Sequence, residues 1–251
     1  MLLVEEDGPI LRLTLNRPEV KNALDDTLID ELSRVFEGLA DSVRAVVLTA
    51  VGDTFCAGGD LGWMRRAACY SEEENYRDAL KLANLFQTIA TCRPAVVVKV
   101  NGNVFGGGCG LVAAADYAIC VPGARFSFSE IKLGLVPATI SPVVIQKIGA
   151  GYARALFTTG KVFDVGFALG IGLVHELADP EILEDRARAV LKSVLAGGPD
   201  AVAASKRLSV NEVLETSEAA RLLARVRATP EAREGLSAFL EKRKASFVVD
   251  P

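Results

Sequence analysis

The sequence predicts an α/β core with parallel strand pairing, followed by a helical region, and three observations carry that expectation. Two short, nearly continuous apolar runs, Ala45–Ala50 and Ala95–Val100, have the length and branched side chains of strands buried on both faces. A helical pattern at about 71–90 lies between them, and parallel strands need a crossover of that length. After the run at 171–177 the character changes and only helical periodicity remains.

Taken in order, residues 10–16 (Ile-Leu-Arg-Leu-Thr-Leu-Asn) alternate apolar and polar as a half-buried strand does, until Arg17-Pro18 ends them. Residues 25–39 place Leu28, Ile29, Leu32, Val35, Phe36 and Leu39 on one helical stripe, with Asp25 or Asp26 available as the cap. The buried strand at 45–50, the helix at 71–90 and the buried strand at 95–100 follow. A Gly-rich segment then leads into an apolar stretch at 111–115, expected to be helical. Gly170-Ile-Gly-Leu-Val-His-Glu-Leu reads as a turn entering a short strand, and 180–195 and 199–244 read as helices separated by Gly197-Gly198-Pro199. The chain therefore divides into an α/β core, 1–193, and a helical region, 194–251. A tail of amphipathic helices too small for a core of its own packs on its parent domain or on another subunit, so oligomerisation is expected.

Composition narrows the function classes. The 251 residues carry 28 Lys plus Arg against 32 Asp plus Glu, a net charge of −4, with 50% hydrophobic residues. That mildly acidic balance, without a basic run, lacks the footprint of a nucleic-acid binder. No apolar stretch approaches the roughly 20 residues needed to span a bilayer. The first residues read as strand instead of an export signal, which makes a cytoplasmic address the expectation. Five cysteines at 56, 69, 92, 109 and 120 form no CxxC pair, so reduced thiols are expected and a zinc site is not. The single histidine, His175, sits in a turn and reads as structural or solvated. There is no G-x-S-x-G elbow and no P-loop. Catalysis, if present, rests on carboxylates, backbone dipoles or a bound cofactor.

Three segments carry chemistry. Thr54-Phe-Cys-Ala-Gly-Gly-Asp-Leu (54–61) and Asn101-Gly-Asn-Val-Phe-Gly-Gly-Gly-Cys-Gly-Leu (101–111) each follow a buried strand, and strand ends with Gly-rich turns are where α/β sheets bind ligands. A helix starting near Gly107 would present free amides at the positive end of its dipole, and one amide from the Ala57-Gly58 turn would make a convergent pair for an oxyanion. Alternatively, the glycines serve only turns and close helix packing. Gly108-Cys-Gly110-Leu-Val-Ala113 also fits the dinucleotide pattern G-x-G-x-x-A, but six residues separate Asn101 from Gly108, whereas that motif's first glycine follows its strand directly. The third segment, 124–137, sets Glu130 among apolar residues. Desolvation would raise its pKa toward the range useful for proton transfer; a solvent-facing or capping glutamate is the equal alternative.

Together, Phe-Cys-Ala-Gly-Gly-Asp-Leu (55–61), Asn-Gly-Asn-Val-Phe-Gly-Gly-Gly-Cys-Gly (101–110) and Phe-Ser-Glu-Ile-Lys-Leu-Gly-Leu-Val-Pro (128–137) resemble the ordered signature of the crotonase, or enoyl-CoA hydratase/isomerase, superfamily. The resemblance extends from Leu13-Thr-Leu-Asn-Arg-Pro to the helix-like 234–244. It implies a spiral of ββα units with a C-terminal helical trimerisation region, assembled as a homotrimer or homohexamer. It implies an acyl-CoA substrate with no cofactor beyond that coenzyme A. By the same resemblance the amides of Ala57 and Gly107 form an oxyanion hole and Glu130 moves a proton. Gly58, Asp60 and Leu61 belong to the substrate-binding turn, Lys21 lies near the CoA entrance, and Phe239 and Lys242 reach CoA in a neighbouring subunit. Two-glutamate hydratases carry a second glutamate directly after Gly-Gly-Gly-Cys, where this chain has Gly110. That leaves one-glutamate chemistry: hydration or dehydration of a branched acyl-CoA, or a double-bond shift by one base. The pairing of Gly-Gly-Gly-Cys-Gly-Leu with 129–142 is similar to bacterial methylglutaconyl-CoA hydratase-like members of leucine and isoprenoid catabolism, and a basic group would then meet a distal carboxylate. A CoA-binding protein without turnover is the reading from another class.

Overall fold

A computed structural model of the chain describes residues 1–210 and 214–251. Strands β1 (Leu2–Asp7) and β2 (Ile10–Leu15) form an antiparallel hairpin. Then come α1 (Asp26–Glu37), β3 (Ala45–Ala50), β4 (Thr54–Cys56), α2 (Leu61–Ala67), α3 (Glu72–Thr91), β5 (Ala95–Val100) and β6 (Asn103–Phe105). They are followed by α4 (Gly107–Ala114), β7 (Tyr117–Cys120), β8 (Arg125–Ser127), α5 (Ser141–Thr159), β9 (Phe163–Asp164), α6 (Val165–Gly170) and β10 (Glu176–Leu177). The chain closes with α7 (Leu183–Ala196), α8 (Pro199–Val210), α9 (Thr216–Arg227) and α10 (Pro230–Leu240).

Two sheets result. The larger has the order β1-β2-β3-β5-β7-β10 and is parallel from β2 onward; the smaller has the order β4-β6-β8-β9. β3, β5 and β7 each send the chain directly into one strand of the small sheet and then toward a helix, the expected ββα spiral. The apolar runs at 45–50 and 95–100 pair in register, Ala45 opposite Ala95 through Leu48 opposite Val98. They need apolar residues on both faces because each face is covered. Val46, Leu48, Val96 and Val98 enter the main core, whereas Ala45, Val47 and Val97 meet Leu191 and Leu195 of α7.

Capping fixes where the two helices beside the site begin. Asp25 accepts from the Leu28 amide at the start of α1. Ser71 and Glu74 form a reciprocal capping box at the start of α3. The boundary expected at 193/194 falls inside α7, which runs on to Ala196. The helical reading of 199–244 differs at its end: α10 stops at Leu240, because Lys242 adopts a left-handed φ of 55°. Arg243 then folds back onto Glu234 and Glu241. The part of that reading at 211–213 lies outside the described residues. Among the described residues, no helix is long and apolar enough to cross a membrane.

Candidate active site

The site begins with a buried asparagine. Asn22 is fully buried with a left-handed backbone, and its side chain donates to Val51 O and Thr54 O while accepting from Arg17 N–H. This locks the 17–24 loop beside the strand end that follows β4. The two backbones then zip together: Ala57 N–H donates to Lys21 O at 3.0 Å, Leu24 N–H to Gly58 O at 2.7 Å, and Asp60 N–H to Leu24 O at 2.8 Å. The Ala57 amide is therefore already committed, which corrects its assignment to the oxyanion hole. In the same turn Gly59 N–H donates to no protein acceptor among the described residues, and Gly59 lines the cavity described below. Gly58, at φ 94°, packs so closely on the next strand that a Cβ would stand 3.2 Å from Phe105 O.

Gly106 holds a φ of 49° with its N–H bonded to Ser127 O, and α4 starts at the next residue. As the first residue of the helix, Gly107 has an N–H with no intrahelical acceptor. Gly108 serves packing, since a Cβ there would lie 2.8 Å from Cys56 Cβ, whereas Gly107 faces the cavity.

Glu130 opens a 3-10 turn, Glu130–Leu133, beyond β8. Its Oε2 is buried without a hydrogen-bond partner among the described residues, and burial pushes its carboxyl above the ordinary value. Burial, and then the Glu130 charge, push the thiol of Cys109 well above its usual range, which disfavours the thiolate.

Gly59, Gly107 and Glu130 share one cavity of ≈ 740 Å³. Its walls are mostly apolar: Leu24, Trp63 and Met64 of α2, Leu82 of α3, and Leu135, Val136 and Ile140. Among the described residues, Glu130 and Asp78 are the only ionisable ones in the lining, and Trp63 Nε1 donates to Asp78 Oδ1 at 3.2 Å. The basic group that a distal carboxylate would call for is not among the lining residues. Gly110 lies behind the wall, and a Cβ there would meet Ile140 Cγ2 at 2.5 Å and the Phe86 ring at 2.8 Å.

The other expected residues take different places. Asp60 caps α2 through the Gly62 and Trp63 amides and pairs with Arg17, which makes it a clamp on the turn. Leu61 is 72% exposed at the start of α2. Lys21 is exposed, and its carbonyl receives the Ala57 amide. Phe239 and Lys242 are exposed in the C-terminal region and do not line the cavity of their own chain. His175 is structural: its Nδ1 accepts from Ala118 N–H, its ring stacks on Tyr117, and burial lowers its pKa to about 4. Sequence reasoning missed Gly59, Trp63 and Asp78. The spacing of Asn75, Asp78, Ala79 and Leu82 was the available signal for the α3 wall, since it marks one helical face.

The enoyl-CoA hydratase/isomerase family model matches residues 5–249 of the chain. A crotonyl-CoA hydratase of Syntrophomonas wolfei is 30% identical over 257 residues, covering 98% of this chain and 97% of that protein. Among solved structures, an enoyl-CoA hydratase from Shewanella pealeana superposes with a TM-score of 0.93 at 33% identity, over 98% of this chain and 95% of the other. Pseudomonas aeruginosa AtuE gives a TM-score of 0.93 at 36% identity over 99% of both chains.

Proposed function

Since the chain belongs to the enoyl-CoA hydratase/isomerase family, we propose that it adds water across the double bond of a 2-enoyl-CoA with Glu130 as its one side-chain acid/base. The observation that carries this reading is the buried, unpartnered Oε2 of Glu130 in the same cavity as the free N–H groups of Gly59 and Gly107. The two amides hold the thioester oxygen and stabilise the enolate that forms as negative charge moves onto it. Glu130 takes a proton from water while the oxygen of that water bonds to C3. It then returns a proton to C2, so that one water is gained and the carboxylate is restored. No cofactor takes part beyond the coenzyme A of the substrate.

The acyl group is the finer part of the proposal. The cavity has room for a branched acyl chain, but among the described residues its walls offer no cation to the distal carboxylate of a methylglutaconyl-like group, so the acyl group proposed is one without that carboxylate. A second reading, double-bond isomerisation by Glu130 alone, is favoured by one observation: the space beside Gly110 is filled by Phe86 and Ile140, so no second carboxylate orients water. Assembly as a trimer or hexamer, with Phe239 and Lys242 serving the CoA of a neighbouring subunit, belongs to this proposal, as does a cytoplasmic address. The test is incubation with crotonyl-CoA, 3-methylglutaconyl-CoA and a 3-enoyl-CoA. Hydration yields a product heavier by one water, isomerisation an unchanged mass with altered thioester absorbance, and a binding protein neither.

A further inference from the structure

The far end of the cavity carries a charge that the reaction does not use. We propose that Asp78, positioned by Trp63, is a specificity-determining residue that makes the site select acyl-CoA thioesters whose acyl tail lacks a terminal carboxylate. This substrate class rests on the enoyl-CoA reading above.

The cavity runs along α3. The Phe86 ring marks the reacting end, since it lies 3.9 Å from the Cβ position of Gly107. Leu82, Ala79 and Asp78 line the cavity on the same helix toward its N-terminus. At 1.5 Å of rise per residue, Asp78 stands roughly 12 Å along the axis from Phe86. An acyl tail leaving the oxyanion site along this wall passes Leu82 and Ala79 and then meets a carboxylate. Trp63 Nε1 holds that carboxylate at 3.2 Å from across the cavity. Asp78 has no ion-pair partner among the described residues, because its flanking cations on α3 are engaged elsewhere, Arg77 with Glu73 and Lys81 with Asp30.

Asn75 and Thr139 are the other polar residues of a largely apolar wall, and Asp78 is half-buried, so solvent screens its charge only in part where a tail would lie. A terminal carboxylate entering there would lose water, find no cation and face a fixed like charge. An uncharged tail suffers none of these costs. Rejection by a placed repulsive group is one of the ordinary routes to specificity.

Octanoyl-CoA and suberyl-CoA test the idea directly. They share eight acyl carbons, differ in the terminal carboxylate, and are saturated, so neither can be hydrated. Calorimetric titration of the wild-type protein is expected to give a Kd about tenfold lower for octanoyl-CoA, as a like charge placed at the end of the tail demands. Asp78→Asn, with its fold checked by circular dichroism, should close most of the gap by tightening suberyl-CoA far more than it changes octanoyl-CoA. Equal affinities in the wild type, or a gap that survives Asp78→Asn, would overturn the assignment. So would failure of both thioesters to bind, which would remove the acyl-CoA reading with it. If the gap behaves as expected but no 2-enoyl-CoA is hydrated, the hydratase reading alone fails.

Discussion

Folding leaves Glu130 with an oxygen that nothing among the described residues satisfies, and this residue links stability to function. Its raised pKa means that the folded chain holds the proton more tightly than the unfolded chain does. Below the ordinary carboxylate pKa both states are protonated, and the group costs nothing. As pH rises through the raised folded value, the buried charge must form and destabilises the fold. Glu130→Gln should therefore melt higher than the wild type at neutral pH, by roughly 2–4 °C for each 1 kcal/mol relieved, with the difference closing on acidification. Thermal melts at two pH values check this. The backbone donors have a separate test at Gly107. Proline is tolerated at the first position of a helix and removes the N–H, although a Cβ at Gly107 would stand 2.9 Å from the tip of Leu24, which must shift. Gly107→Pro is expected to lower kcat by at least about 10²–10³, the range seen when one oxyanion donor is removed, with circular dichroism checking that the fold survives the shift of Leu24.

At the scale of elements, α4 is the part with no slack. Its Gly108 and Gly110 abut Cys56, Ile140 and Phe86 so closely that side chains there must displace the core. Installing the glutamate of two-glutamate relatives should therefore fail: Gly110→Glu is expected to destabilise by at least about 1–3 kcal/mol through overpacking without raising the hydration rate, as melting and kinetics on one preparation would report. The long elements were legible because local signals agreed with burial. β3 and β5 match their apolar runs to the residue, and of the two aspartates read as possible caps, Asp25 and Asp26, it is Asp25 that caps α1. The strands β4, β6 and β8 were not legible, since three residues are too few for a period and they sit within Gly-rich turns. The surroundings of Glu130 and Gly107 marked the segments that the cavity gathers but left the roles of both residues open. Ala57 was misjudged for a nonlocal reason, because its amide is consumed by Lys21 from the loop before α1. Asp78 was hidden because helix periodicity alone does not say which face of α3 borders a cavity.

Across the whole molecule, the last two helices look incomplete in a single chain. Leu223 of α9 is 51% exposed, and Leu236, Phe239 and Leu240 of α10 are 57, 80 and 78% exposed. Such a cluster on consecutive helices suits burial against other copies of the chain. Sedimentation is expected to show a trimer or hexamer, and Phe239→Asp combined with Leu240→Asp to shift it toward monomer. The net charge of −4 describes this molecule poorly, because the cavity itself carries two carboxylates and no cation among its lining residues. The central claim is that one glutamate and two backbone amides hydrate an enoyl-CoA, and the most direct measurement is the mass-resolved rate of water addition to a 2-enoyl-CoA by wild type and Glu130→Gln. The expected result is a product one water heavier, with the rate reduced by about 10²–10⁴ in the variant; undiminished hydration by Glu130→Gln would contradict the account.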